Sequence, residues 1–117
     1  MTDDTILIVD DSPFMLRVLT FILKEAGYAT VTADSGEEAL AKARSSRPRL
    51  ILLDAVMPDM DGWQVLEAIK KDPSLQKIRV VMVSGLEAGK YPGADGYIQK
   101  PFTPDQVQSI VATLLSP

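Results

Sequence analysis

Residues 50–54 read Leu-Ile-Leu-Leu-Asp, four apolar residues in a row followed by an aspartate. A continuous apolar run of this length is typical of a central strand that is covered on both faces. We therefore predict a strand over Leu50–Leu53 that ends at Asp54. A strand buried on both sides belongs to a parallel sheet, so the flanking sequence should alternate between strands and helices.

That alternation is present on both sides of the central run. The predicted strands are Thr5–Val9, Ala29–Ala33, Leu50–Leu53, Val80–Val83 and Tyr97–Gln99, and the predicted helices are Phe14–Ala26, Gly36 to about Ser45, Gly62–Lys71 and a last one ending near Leu115. We therefore predict an α/β fold with a doubly wound parallel sheet and helices on both faces.

Helix-start signals support three of these boundaries. Ser12-Pro13 combines an N-cap residue with proline at the first helical position. Ser35 with Glu38, and Thr103 with Gln106, have the spacing of a capping box, in which two side chains satisfy two free backbone N–H groups.

The composition excludes several kinds of site. The chain has 117 residues, which fits one domain, and contains neither Cys nor His. Disulfides, thiolate or imidazole metal ligands and a phosphorylated histidine are therefore excluded. A metal ion would have to be held by oxygen, as Mg²⁺, Mn²⁺ and Ca²⁺ are.

Charge and hydropathy bear on location and partners. The net charge is −4 with no long basic run, which argues against direct nucleic-acid binding by this chain. The N-terminus is acidic, unlike a signal peptide, and the apolar runs are too short for membrane insertion. We expect a cytoplasmic protein that is a single domain over residues 1–117, without an output domain.

Polar residues follow the predicted strands where each one ends. Asp10 and Asp11 follow the first strand, Asp54 the third, Ser84 the fourth and Lys100 the fifth. Ligands of open parallel sheets bind at the carboxyl ends of strands where the strand order reverses, which for the order 2-1-3-4-5 lies between strands one and three. The carboxylates should meet there.

A cluster of carboxylates suits a hard divalent cation. Mg²⁺, or Mn²⁺ in its place, takes one or two carboxylates together with phosphate oxygens. With the cation bound, Asp54 could act as a nucleophile toward a phosphoryl group, while Lys100 and Ser84 contact the phosphoryl oxygens. Taken singly, the residues have plainer interpretations: Asp10 and Asp11 as helix caps, Ser84 as a turn residue and Lys100 as a solvated lysine.

Together these residues resemble the receiver domain family of two-component response regulators. The resemblance rests on Asp10-Asp11, the run Asp54-Ala-Val-Met-Pro-Asp-Met-Asp-Gly62, Ser84 and the run Tyr97-Ile-Gln-Lys-Pro-Phe102, in this order, and covers about Ile6 to Leu115. It implies a flavodoxin-like doubly wound fold with five parallel strands in the order 2-1-3-4-5.

The resemblance also implies a role for each matching residue. Asp54 matches the phosphoacceptor. Asp11 matches a direct Mg²⁺ ligand with Asp10 assisting, and the backbone carbonyl of Val56 matches a further ligand. Ser84 and Lys100 match the residues that hold the phosphoryl group. Tyr97 matches the aromatic side chain that turns inward on activation, and the peptide before Pro101 matches one that is cis in the family.

The sequence departs from the family pattern in two places. The stretch Gly85–Gly96 contains four glycines and a proline, which oppose helix formation, so we expect the fourth helix of the family to be shortened or absent and the output surface to be remodelled. The positions two after Asp54 and two after Ser84 are the apolar Val56 and Leu86, which cannot orient an attacking water. We expect slow loss of a phosphoryl group.

The implied function is a Mg²⁺-dependent phosphoacceptor that signals by a change of conformation and is not otherwise an enzyme. A histidine kinase or phosphotransfer protein would be the donor, as in a phosphorelay, and the output partner would be another protein. A degenerate receiver that binds partners without phosphorylation is the main alternative. An aspartate-based phosphatase and a flavin-binding domain fit less well, because Val56 stands where such phosphatases carry a second acid and because Asp10-Asp11 would repel a flavin phosphate.

Overall fold

The computed structural model describes residues 5–85 and 91–116, which form a five-stranded parallel sheet with helices on both faces. In chain order the elements are β1 (Thr5–Val9), α1 (Pro13–Glu25), β2 (Ala29–Ala33), α2 (Gly36–Ser46), β3 (Leu50–Asp54), α3 (Gly62–Lys71), β4 (Arg79–Ser84), β5 (Gly96–Gln99) and α4 (Pro104–Leu115). The strand order is β2-β1-β3-β4-β5. The predicted order 2-1-3-4-5 is therefore confirmed.

The central strand is buried as its sequence predicts. All five residues of β3 are buried, and β3 pairs in parallel with β1 on one side and β4 on the other. Because side chains alternate between the faces of a strand, Ile51 and Leu53 enter one core cluster while Leu50 and Leu52 enter the other. Apolar residues throughout β3 thus allow helices to cover both faces of the sheet.

Two of the three predicted helix starts form as expected. The Ser12 hydroxyl accepts the Met15 N–H, and Pro13 opens α1. Thr103 and Gln106 form a full capping box at the start of α4. At α2 the prediction was half right: Ser35 accepts the Glu38 N–H, but the Glu38 carboxylate accepts the Asp34 N–H instead of that of Ser35.

The connection between β4 and β5 is the one predicted to lack a full helix. Its described part, Gly85 and residues 91–95, consists of bends and turns. The rest of the expected change falls on residues 86–90, which lie outside the described residues. The chain does have a fourth helix, α4, but this helix follows β5.

The helices of the described chain are short. None of those within residues 5–85 and 91–116 is long and apolar enough to cross a membrane. The longest, α1, has 13 residues, whereas a membrane-spanning helix needs about 20 apolar residues.

Candidate functional site

The carboxyl ends of β1 and β3 bring three carboxylates together. Carboxylate oxygens of Asp10, Asp11 and Asp54 all lie within 4.8 Å of one another. Asp10 is 2% exposed and Asp54 6% exposed, whereas Asp11 is exposed. The neighbouring strands β1 and β3 run parallel and end side by side, so the residues after each strand meet at one edge of the sheet. The predicted acidic cluster therefore forms.

Burial disfavours the charged form of two of these carboxyl groups. It raises the pKa of Asp10, and it raises the pKa of Asp54, which the adjacent charge of Asp10 raises further. Lys100 lowers both pKa values without reversing the direction. Within the described part of the chain, Oδ2 of Asp10 is buried without a hydrogen-bond partner. Carboxylate oxygens gathered in this way are the ligand type that a hard divalent cation prefers.

Lys100 supplies a positive charge at the same edge. Its Nζ lies 3.5 Å from Oδ1 of Asp54 and 3.9 Å from Oδ2 of Asp10. The Lys100 backbone N–H donates to the Ser84 carbonyl at 2.8 Å, which fixes the end of β5 beside the end of β4. The Lys100–Pro101 peptide bond is cis, as the family resemblance implied.

Ser84 is the third buried polar residue of the described chain, after Asp10 and Asp54. It closes β4, next to β3, and its Oγ accepts a hydrogen bond of 3.4 Å from the Tyr91 hydroxyl. The rings of Tyr91 and Tyr97 stack with centroids 6.2 Å apart and planes at 26°. The hydroxyl oxygen of Tyr97 is buried and has no partner among the described residues.

The loop after β3 approaches the site closely. The Val56 N–H points to Oδ1 of Asp54 at 3.5 Å, while the Val56 side chain is 68% exposed. At the start of α3, a Cβ added to Gly62 would lie 2.3 Å from the Asp54 carbonyl oxygen. Only glycine therefore allows α3 to begin so near the end of β3. Asp61 caps α3 in a capping box with Gln64.

The structure brings the predicted carboxylates, Ser84 and Lys100 to one edge of the sheet, while Tyr97 lies further back on β5. It adds Tyr91, which the sequence did not single out, and gives a reason for Gly62. The plainer interpretation of Asp10 as a helix cap is wrong, because Ser12 caps α1 and Asp10 accepts the Ser12 N–H at 2.9 Å. The contacts of Tyr91 and the close approach at Gly62 were missed. An isolated tyrosine in a stretch rich in glycine was the only signal for Tyr91.

Known proteins resemble the chain over almost its whole length. A sequence model of the response regulator receiver domain matches residues 6–112. The alkaline phosphatase synthesis transcriptional regulatory protein PhoP of Bacillus subtilis is 36% identical over 114 residues, covering 94% of this chain and 48% of that protein. The DNA-binding response regulator MtrA of Mycolicibacterium smegmatis is 34% identical over 117 residues, covering 94% of this chain and 50% of that protein. The chain spans about half the length of these curated relatives.

Solved structures agree with the sequence matches. The chemotaxis protein CheY4 of Vibrio cholerae superimposes with a TM-score of 0.90 at 31% identity, covering 97% of this chain and 100% of that one. The response regulator TrrA of Thermotoga maritima, solved in complex with Mg²⁺ and beryllofluoride, gives a TM-score of 0.87 at 33% identity, covering 96% of this chain and 99% of that one. From the family match, the fold and the acidic cluster together, we conclude that the chain belongs to the response regulator receiver domain family.

Proposed function

We propose that Asp54 accepts a phosphoryl group in a Mg²⁺-dependent reaction and that the chain signals by the resulting change of conformation. The observation that carries this proposal is the position of Asp54. It is a buried carboxylate within 4.8 Å of the oxygens of two other aspartates, and its Oδ1 lies 3.5 Å from the Lys100 ammonium. A nucleophile, a cation site and a positive charge thus share one edge of the sheet.

The donor set suits Mg²⁺ better than softer ions, with Mn²⁺ as a possible replacement. Asp10, Asp11 and Asp54 offer only oxygen. Oδ2 of Asp10, which has no hydrogen-bond partner among the described residues, is the kind of atom that a cation or its bound water would satisfy. The Val56 carbonyl is proposed as a further ligand. When bound, the cation neutralises negative charge on the phosphoryl oxygens and on the carboxylates.

The proposed transfer step needs little covalent work from the protein. An Oδ atom of Asp54 attacks phosphorus, an O–P bond forms, and the P–N bond of a phosphohistidine donor breaks with its electron pair leaving on the imidazole. Lys100 pairs with a phosphoryl oxygen, and the Ser84 hydroxyl donates a hydrogen bond to another. Their placement at the ends of neighbouring strands supports these roles.

The proposed output is regulatory. Receiver domains are regulators, and we propose that a histidine kinase or phosphotransfer protein is the donor and that a protein partner reads the phosphorylated state. Tyr97 is proposed to follow the movement of Ser84, so that its ring reports phosphorylation to the surface near β5. That the chain itself does not bind nucleic acid remains a prediction from its charge.

The test is phosphorylation by a small donor. The protein would be incubated with Mg²⁺ and acetyl phosphate, and its intact mass would be measured. We expect one phosphoryl adduct, which is lost when EDTA is present and in Asp54→Asn but kept in the control Asp105→Asn, which alters an exposed acid in the first turn of α4.

A second probe is needed in case the protein reacts poorly with small phosphoryl donors. Mg²⁺ with beryllofluoride, which mimics an aspartyl phosphate, should bind the wild-type protein and not Asp54→Asn. If neither an adduct nor beryllofluoride binding is found, the phosphoacceptor proposal is wrong, and a receiver that binds partners without phosphorylation takes its place.

A further inference from the structure

Tyr91 contacts both residues that the proposed function assigns to the response. Its hydroxyl donates to Oγ of Ser84 at 3.4 Å, and its ring stacks on that of Tyr97 at a centroid distance of 6.2 Å. The Tyr97 hydroxyl, by contrast, has no hydrogen-bond partner among the described residues. Of the two tyrosines, Tyr91 is therefore the one that hydrogen-bonds to Ser84.

Hydrogen bonds in the following turn hold the backbone around Tyr91 in place. The Ala94 N–H donates to the Tyr91 carbonyl at 3.2 Å, which closes a turn. The next residue, Asp95, accepts hydrogen bonds from the Val80 N–H at 2.8 Å and from Lys70 Nζ at 2.9 Å. The Tyr91 ring also packs against the core cluster on its side of the sheet. The turn and the core contacts therefore fix the position from which the Tyr91 hydroxyl reaches Ser84.

We propose that Tyr91 is a positioning residue for Ser84, an inference that rests on the proposed phosphoacceptor function. A serine hydroxyl has one hydrogen to donate and can accept at the same time. When Tyr91 donates to Oγ, it helps to hold the Ser84 side chain in place at the end of β4 and directs the Ser84 hydrogen away from itself. Linked hydrogen bonds of this kind polarise and strengthen one another.

Removing the Tyr91 hydroxyl should change the binding of the phosphoryl group, and the direction of that change shows whether Tyr91 positions Ser84 or competes for it. If Tyr91 positions Ser84, removing its hydroxyl weakens the hold on the phosphoryl group. If the contact instead keeps Ser84 away from the site, removing the hydroxyl strengthens that hold. Tyr91→Phe makes the distinction cleanly, because it keeps the ring that stacks on Tyr97 and deletes one oxygen.

The experiment measures the dissociation constant of the Mg²⁺–beryllofluoride adduct by titration calorimetry for four proteins: wild type, Tyr91→Phe, Ser84→Ala and the double variant. We expect Tyr91→Phe to weaken binding by about 3- to 10-fold, the range for loss of one hydrogen bond. In the Ser84→Ala background the same change should have no effect, because the contact acts only through Ser84. Tyr28→Phe, which deletes the hydroxyl of a half-buried tyrosine outside the site, should bind as wild type does.

Other results overturn the inference. Unchanged or tighter binding by Tyr91→Phe would exclude a positioning role, and an equal loss in both backgrounds would show that the Tyr91 hydroxyl does not act through Ser84. If wild type itself fails to bind beryllofluoride, the proposed function fails and the inference with it. If wild type binds and Asp54→Asn does not, the function stands and only the comparison of Tyr91→Phe with wild type decides this inference.

Discussion

At the scale of single residues, the buried polar side chains of the described part of the chain all lie at the site. Within the described residues, the buried polar or charged side chains are Asp10, Asp54 and Ser84, and all three lie at the carboxyl ends of strands. Burying such groups costs free energy unless they are paired, so a sequence retains them where a ligand or a reaction needs them. Their concentration at one edge is the strongest structural argument for function.

Val56 should set the lifetime of the phosphoryl group. Its side chain is 68% exposed at the rim of the site, and it has no group that could orient a water molecule for attack on phosphorus. We expect Val56→Asn to speed dephosphorylation roughly tenfold, the equivalent of one hydrogen bond of about 1.4 kcal/mol in the transition state. Intact mass followed over time after removal of the donor gives the rate.

A second substitution at this position serves as the control. Val56→Ala removes apolar bulk without adding a hydrogen-bonding group, so its rate should stay near that of wild type. If wild type already loses phosphate rapidly and Val56→Asn changes nothing, the residue does not control hydrolysis.

Asp95 should make stability depend on pH. Its burial raises its pKa, but hydrogen bonds from Lys70 and the Val80 N–H and the nearby charges more than offset this, so the pKa lies below its ordinary value of 3.8. A carboxyl whose pKa is lower in the folded state stabilises the fold above its unfolded pKa, and this stability is lost as pH falls through the folded pKa.

The test for Asp95 compares urea unfolding at several pH values. Asp95→Asn should lower the free energy of unfolding by about 1 kcal/mol at pH 7, since hydrogen bonds to a charged group are lost. The difference from wild type should shrink as pH falls below about 4. Glu67→Gln, which alters an exposed acid on α3, should show no such trend. A difference for Asp95→Asn that stays constant down to pH 2 would contradict the electrostatic explanation.

At the scale of elements, the start of α3 determines the position of the loop that connects β3 to α3, residues 55–61. Gly62 lets the helix begin against the Asp54 carbonyl, where a Cβ would lie only 2.3 Å away. Gly62→Ala should therefore push α3 from the end of β3, lower the free energy of unfolding by about 1–3 kcal/mol and weaken Mg²⁺ binding. Urea unfolding and calorimetric Mg²⁺ titration measure the two effects.

Gly85 provides the matched comparison for that substitution. A Cβ added there meets no described atom within 4 Å, so Gly85→Ala should change stability by less than about 1 kcal/mol. A loss for Gly62→Ala no larger than that for Gly85→Ala would mean that the close approach to the Asp54 carbonyl does not explain the glycine at the start of α3.

At the scale of the whole molecule, the repulsion between strand ends should couple metal binding to folding. In buffer without divalent cations, Asp54→Asn should raise the free energy of unfolding, because it removes a buried charge next to Asp10. Mg²⁺ should stabilise wild type by about 2.7 kcal/mol at 100 times its dissociation constant. It should stabilise Asp54→Asn much less at the same concentration.

Thermal unfolding with and without Mg²⁺ checks both parts of this expectation. Glu67→Gln, remote from the carboxylates along α3, should respond to Mg²⁺ as wild type does. If Asp54→Asn is less stable than wild type in EDTA, the ion pair with Lys100 stabilises Asp54 by more than the repulsion from Asp10 costs. The expectation that repulsion destabilises the metal-free protein would then be wrong.

Much of the fold follows from local sequence patterns. The apolar run of β3, the strands Thr5–Val9 and Ala29–Ala33 and the helix Gly62–Lys71 have the predicted bounds to within one residue. Periodicity and caps are properties of neighbouring residues, so the sequence contains them directly. The acidic cluster was predictable too, because parallel strands end at the same edge of a sheet.

What the sequence alone determined, then, was the order of elements, the parallel sheet and the strand-end residues that could hold a cation and a phosphoryl group. Only the tertiary structure decided that Glu38 bonds to Asp34, that Gly62 touches the Asp54 carbonyl and that Tyr91 reaches Ser84. The physical reason is that these contacts depend on distances between separate segments and on side-chain direction, which the packed sheet and helices fix and no local pattern records.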